Sequence, residues 1–227
     1  MKLALRSALA ALAAVALVSV AGAANAIVIS GVYNTGLGVG GVALPAGDGQ
    51  TDANYVIVST NNPALTVGAH ALTYYNPAYL QDGPRSRIVN GTGDGAGFAG
   101  SVTTFETTFD LTGFDAANAT ISGQALFDNF GTISLNGNAF GGTITGFGSL
   151  APFGTNSNFF VAGINKLDFT LNNQGGPEAF QVAGLTVTAA RLPVGGVPEA
   201  ATWAMMVAGF GLVGVSVRRR ARTTVVA

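Results

Sequence analysis

The chain has 227 residues, of which 48% are hydrophobic and 9% charged, with 33 glycines and no cysteine. It is too apolar for a disordered segment and long enough for one β domain, and the lack of Cys removes disulfide staples, thiol nucleophiles and Cys-based metal sites. Six of the ten basic residues are terminal, so residues 27–196 hold four basic against ten acidic side chains, a net of −6, which argues against nucleic acid as a partner.

Residues 1–26 open with Lys2 and Arg6, continue as the apolar run Ala8–Val20 and end Ala24-Asn25-Ala26. A positive head, an apolar middle and small residues at alternating positions predict a signal peptide read by the Sec translocon and cut by signal peptidase after Ala26.

From residue 27 to 192 the pattern is that of strands. In Ser101–Leu111 the residues Phe105, Thr107, Phe109 and Leu111 share one face, and Thr104, Glu106, Thr108 and Asp110 the other. Asn165–Leu171 repeats this, with Leu167, Phe169 and Leu171 opposed to Lys166, Asp168 and Thr170. Further strands are expected at Ile27–Tyr33, Tyr55–Ser59, His70–Tyr75, Ser86–Val89, Thr120–Phe127, Gly131–Leu135, Thr143–Phe147, Phe159–Ala162 and Phe180–Ala189. Turn-formers separate them: Asn61-Asn62-Pro63, Asp82-Gly83-Pro84, Asn136-Gly137-Asn138 and Asn172–Pro177. The expected fold class is all-β, an antiparallel jelly-roll β-sandwich flanked by a signal helix and a C-terminal transmembrane helix.

Residues 193–197 read as a linker. Beyond them Ala201–Val217 carries no charge, the short limit for crossing a core of ~30 Å. Trp203 sits where an interfacial aromatic belongs, and Arg218, Arg219, Arg220 and Arg222 form a basic tail that stays cytoplasmic. Read from hydropathy alone this is a membrane anchor with a stop-transfer cluster.

The run Val197-Pro198-Glu199-Ala200-Ala201-Thr202-Trp203-Ala204-Met205-Met206, followed by Gly209-Phe210-Gly211 and the Arg-rich end, resembles the PEP-CTERM sorting signal in its Trp-Ala-Met-Met form, here over residues 198–222. The resemblance implies a sorting motif of Pro198, Glu199, Ala200 and Trp203, and an exosortase as the protease and transpeptidase that reads it. It also implies passage through the inner membrane of a Gram-negative bacterium that makes exopolysaccharide, and a final place at the cell surface, outer envelope or extracellular matrix. Ala200 departs from the Pro-Glu-Pro core and relaxes the rigid extended backbone a second proline would impose. The stretch from Thr107 to Asp115 through Ser122-Gly123, Asp128-Asn129, Ser134–Gly137, Phe160–Phe169 and Asn172–Pro177 resembles galactose-binding-like β-sandwich domains, with Tyr55 and Tyr79 where such domains often carry Trp. That resemblance implies a module of a kind that often binds carbohydrate.

The residues themselves offer little catalysis. His70 is the only histidine and lies in a strand-like segment, so no base stands beside a nucleophile. Gly36-Leu-Gly38-Val-Gly40-Gly41 matches a dinucleotide pattern, but the residues after it do not form the helix that holds a pyrophosphate, and a Gly-rich surface loop is expected. Glu106 and Asp110 stand ~13 Å apart by strand rise, too far for a glycosidase pair. Asp48, Asp52 and Asp94 in Gly-rich loops are calcium candidates through carboxylate and carbonyl oxygens. Tyr74, Tyr75 and Tyr79 with Asn76 and Asp82 are candidates for contacting a glycan, since rings stack on sugar faces and amides or carboxylates bind hydroxyls. The expectation is a non-catalytic exported domain with no required cofactor; the alternatives are a carbohydrate-active enzyme, a dedicated lectin or a permanently anchored envelope protein.

Overall fold

The computed structural model describes residues 25–45, 47–80, 82–83, 85–193 and the backbone of 200–222, with side chains for 202–218 of that last segment. The expected signal peptide through Ala24, the sorting residues Pro198 and Glu199, and the side chains of Arg219, Arg220 and Arg222 lie outside the described residues.

The described chain is mostly β with one C-terminal helix. Its strands are β1 (Ala26–Val28), β2 (Thr51–Thr60), β3 (His70–Thr73), β4 (Val89–Asn90), β5 (Val102–Asp110), β6 (Thr120–Leu135), β7 (Asn138–Thr155), β8 (Ile164–Asn172) and β9 (Ala179–Ala190); the helix is α1 (Ala200–Arg222). The pairing runs β9-β4-β3-β2-β5-β8-β6 and returns to β9, a closed ring of seven antiparallel strands with β1 added outside β9 and β7 outside β6. This barrel-like closure stands in place of the expected jelly-roll sandwich. Its cause is β6, whose first half, Thr120–Asp128, pairs with β9 and whose second half, Phe130–Leu135, pairs with β8. The change of partner falls at Asp128-Asn129, and just past it stands Gly131, where a Cβ would lie 2.2 Å from the Phe127 ring. Alternation along a strand is the same in a sandwich and a barrel, so only this long-range pairing separates them.

The interior follows the sequence where alternation is strict. Thr103, Phe105, Thr107 and Phe109 of β5 are buried, as are Asn165, Leu167, Phe169 and Leu171 of β8. Phe180 of β9 is the aromatic hub, with ring centroids 4.6 Å from Phe105, 5.9 Å from Tyr55, 6.0 Å from Phe127 and 6.1 Å from Phe169. Asn136 (φ 51°) and Gly137 (φ 80°) make the two-residue turn of the β6–β7 hairpin, a conformation that favours this dipeptide.

Six expected elements differ, among them Ser86–Val89, of which only Val89 lies in a strand, β4. Thr120–Phe127 and Gly131–Leu135 are one strand, and Thr143–Phe147 is the middle of the longer β7. Ile27–Tyr33 pairs with β9 through residue 28, and Ile29 N adds a single bond to Val187 O at 2.8 Å. Phe159–Ala162 is a loop held by Asn165, whose side chain accepts from Val161 N at 2.9 Å and donates to Val161 O at 2.8 Å, while Phe160 packs against Phe109.

Candidate functional site

Beside the start of β9, the loops after β3 and before β5 bring several of the sequence-selected residues together. Asp48 Oδ1 accepts from Tyr75 N at 2.6 Å, and the Asp48 charge raises the pKa of Asp82, whose main upward push is its own burial. Asp82 Oδ1 accepts from Ile88 N at 2.9 Å. One calcium candidate therefore belongs to the same cluster as the glycan candidates. The three tyrosines divide by role. Tyr75 is 54% exposed and offers its ring outward. Tyr79 is buried between Phe147 at 4.9 Å and Tyr74 at 5.9 Å, and Asn76 Nδ2 donates to the Tyr74 hydroxyl at 3.1 Å.

Under this surface lie two acids that strand periodicity does not single out. Tyr79 OH donates to Asp128 Oδ2 and, at 3.3 Å, to Pro177 O. Burial pushes the Tyr79 hydroxyl pKa far up and raises that of Asp128, which the tyrosine bond partly offsets. Glu178 is 2% exposed; its Oε2 accepts from Ser101 Oγ, and burial raises its pKa against the hydrogen bonds of Ser101, Asn62 and Asn173. The loop before β5 closes over it through Gly97, where a Cβ would lie 2.6 Å from both Glu178 Oε2 and Asn173 Nδ2, so only glycine fits there.

The remaining candidates serve the backbone. Asp52, fully buried in β2, accepts from Gly36 N at 2.6 Å and Asn54 N at 2.7 Å, and burial lifts its pKa to about 6. With Asn54, which donates to Leu37 O at 2.9 Å, it pins the Gly36–Gly41 loop, whose second half, Val39–Gly41, is a single 3-10 turn that ends in extended Val42. His70 is exposed and its Nδ1 donates to Asp52 O at 2.8 Å. Asp94 accepts from Ala96 N at 2.9 Å, and the Thr92 hydroxyl followed by that amide hold its pKa below the usual range. Among the described residues no group of three or more His, Cys, Asp or Glu is placed to hold a metal ion.

Glu106 and Asp168 face each other across β5 and β8, with Lys166 Nζ 3.1 Å from Glu106 Oε2. Burial, then the Glu106 charge, raises the Asp168 pKa. Glu106 also lines a cleft of about 320 Å³ with Gly31, Asn54 and Thr108, and neither that cleft nor a second one of about 260 Å³ beside Tyr33 and Arg85 meets the tyrosine cluster.

At the C-terminal end, Trp203, Met205, Val207, Phe210, Leu212 and Val217 of α1 are all exposed. Among the described residues no helix is long and apolar enough to cross a membrane, so the expected span over 201–217 is present as a helix of exposed apolar side chains and not as a demonstrated crossing.

Residues 196–220 match the PEP-CTERM protein-sorting motif. No curated protein matches the chain. Among solved structures, a Stig cyclase, Fisc, from Fischerella sp. TAU in complex with (3Z)-3-(1-methyl-2-pyrrolidinylidene)-3H-indole is 12% identical, with a TM-score of 0.45 over 74% of this chain and 99% of that one. The apo form of a cyclase from Fischerella sp. is 10% identical, with a TM-score of 0.45 over 74% and 98%. The enzymatically active domain of tailspike protein 4 from bacteriophage CBA120 is 10% identical with a TM-score of 0.38; 60% of this chain is covered, but only 19% of the tailspike. At these scores the likenesses carry no argument about this chain's chemistry. The sorting motif does: it marks an exported protein with an exosortase as its processing partner.

Proposed function

We propose that the chain is a non-catalytic exported barrel, delivered through the inner membrane to the cell surface or surrounding matrix and released from its tail by exosortase, with the loops around Tyr75 contacting a glycan. The match of residues 196–220 to the sorting motif carries this reading. The exposed apolar side chains of α1 support it, because such a helix is stable when it partitions into lipid or a membrane enzyme. The non-catalytic part is supported by the use of Asp52, Asp128 and Glu178, each engaged by structural hydrogen bonds, and by His70, which is bound to a backbone carbonyl. The half-exposed Tyr75 ring beside Asp48 and Asp82 supplies the stacking face and hydroxyl acceptors a sugar needs, and no cofactor enters the reading.

Mass spectrometry of the surface form tests the sorting step. The expected product lacks Trp203–Val217, and deletion of the exosortase gene leaves that segment attached; an intact segment on the surface form of an exosortase-proficient cell refutes processing. A glycan array with the barrel tests the loop cluster: saturable binding lost in Tyr75→Ala supports it, and turnover of a glycan would replace it with an enzyme.

A further inference from the structure

Residues 27–196 carry four basic side chains, and three of them are committed within the fold. Lys166 Nζ lies 3.1 Å from Glu106 Oε2, Arg191 lies 5.2 Å over the Phe114 ring, and Arg87 donates through Nη1 to Pro45 O. The fourth, Arg85, is exposed, and among the described residues its guanidinium has neither an ion pair nor a hydrogen bond. In a domain whose net charge is −6, this cation is uncompensated locally and stands at a cleft.

Arg85 and Tyr33 line that cleft of about 260 Å³, with Val32, Leu37, Ala43 and Leu185 as its apolar wall. The stretches of chain that form it are held to one another. Asn34 Oδ1 accepts from Leu185 N at 2.9 Å and its Nδ2 donates to Arg85 O at 2.9 Å, which joins β9 to the segment carrying the cation. Leu37 bridges to Ala43, and Asn54 Nδ2 donates to Leu37 O at 2.9 Å. The Tyr33 ring lies directly on Gly41, where a Cβ would come within 2.6 Å of Cε1, and Tyr55 OH holds the backbone of the same tyrosine by donating to Tyr33 O at 2.9 Å. The cleft is therefore set before any ligand arrives, and binding there costs little ordering.

The chemistry of the cleft selects its ligand. A guanidinium without a partner favours a carboxylate, which it grips through two parallel N–H···O bonds. An aromatic ring beside aliphatic side chains favours the apolar face of another ring. The cleft is open to solvent on its outer side, so the remaining edge of that ring needs hydroxyls, which a pyranose has and an aromatic acid lacks. The volume, just below the roughly 300–1,000 Å³ of drug-sized sites, takes one ring with its substituents. Long polyanions are disfavoured, because the net charge of −6 repels each further carboxylate that comes within a Debye length of ~8 Å. We propose that this cleft binds a single uronic acid unit, its carboxylate on Arg85 and its ring against Tyr33 and Leu185. The site is separate from the Tyr75 loops, so it stands or falls apart from the glycan contact proposed above.

The test titrates the whole chain with methyl β-glucuronide and with its neutral match, methyl β-glucoside, followed by saturation-transfer difference NMR. The glucuronide is expected to saturate, and the glucoside to bind about ten-fold more weakly or not at all. Arg85→Gln should weaken the glucuronide by about the same factor, and Arg85→Lys, which keeps the charge but not the planar fork, should weaken it several-fold. Lys166→Ala removes an equal charge elsewhere and should leave the affinity unchanged. Absence of saturable glucuronide binding, equal affinity for the two glycosides, or glucuronide binding that survives Arg85→Gln overturns the proposal. Saturable binding of benzoate without any of the glucuronide also overturns it and makes the cleft a site for a flat aromatic acid. Loss of the glucuronide in Tyr75→Ala with retention in Arg85→Gln assigns the sugar to the Tyr75 loops, which overturns the proposal and leaves the reading above intact.

Discussion

Asp52 should make the barrel more stable in mildly acidic solution than at neutral pH. Its carboxyl is fully buried, and burial lifts the pKa from 3.8 to about 6 even though Gly36 and Asn54 donate to it. The folded state then binds a proton more tightly than the unfolded chain, so the term favours folding most below pH ~4 and is lost as pH rises through 6. At about 1.4 kcal/mol per pKa unit, the shift amounts to about 3 kcal/mol between pH 4 and pH 7.5. Asp82, Asp128, Asp168 and Glu178 are shifted the same way, so the total slope is not Asp52's alone. Asp52→Asn isolates it. The amide keeps one acceptor but faces a second backbone N–H with its own donor, a cost of about 1–3 kcal/mol with little dependence on pH. Urea unfolding of both chains at a series of pH values, followed by far-UV circular dichroism because the single Trp203 lies in α1, gives the two stability curves. Their difference, wild type minus variant, should fall by about 3 kcal/mol from pH 4 to pH 7.5. A flat or rising difference refutes the claim that burial controls this carboxyl.

Three further outcomes are expected from the same measurement. Phe180→Ala empties the aromatic hub and should cost about 3–5 kcal/mol; a loss under about 1 kcal/mol would mean that Tyr55, Phe105, Phe127 and Phe169 repack without it. Tyr79→Phe removes the donor to buried Asp128 and should cost about 1–3 kcal/mol, more at pH 7.5 than at pH 4, because loss of that bond raises the Asp128 pKa further and penalises its charged form. Lys166→Ala breaks an ion pair whose lysine is 60% exposed, so the change should stay within about 1 kcal/mol and vanish in high salt.

The strands readable in the sequence are those whose two faces meet different media. β5 and β8 run side by side through nine registered pairs, with the barrel interior on one face and solvent or polar neighbours on the other, and their alternation is complete. β7 has no such contrast. It lies outside the ring, pairs only with β6 among the described strands, and carries Gly141, Gly142, Gly146, Gly148 and Gly154, so eighteen residues of strand yielded a five-residue expectation. The expected strands Thr120–Phe127 and Gly131–Leu135 leave Asp128-Asn129 outside any strand. These two residues instead occupy the place where the strand leaves β9 for β8, and Asp128 is satisfied from outside the sheet by Tyr79.

That same place explains which site residues were legible. Residue type pointed to Tyr74, Tyr75, Tyr79, Asp48 and Asp82, and the fold does gather them, because the loops that carry them fold onto one another: Gly49 lies within contact distance of Gly93, and Gly95 of the Tyr74 ring. Type alone did not separate the exposed Tyr75 from the buried Tyr79, since in each case the deciding contact comes from a distant segment. Glu178 has no local signal at all. It follows a Gly-Gly-Pro turn, where an acid is ordinarily a solvated residue, and it is buried only because Ser101 and the Gly97 backbone arrive from the loop before β5. The two acids that sequence reasoning missed are thus the ones that hold the loops beneath Tyr75 in place. Weakening Glu178 should therefore loosen the Tyr75 surface before it loosens the hydrophobic core, because Phe105 and Phe169 are packed from within the ring while the Gly91–Gly100 loop is held by polar contacts, the Glu178 carboxylate together with Asn90, which accepts from Thr92 N and Gly93 N, and Asn173 O, which accepts from Gly100 N.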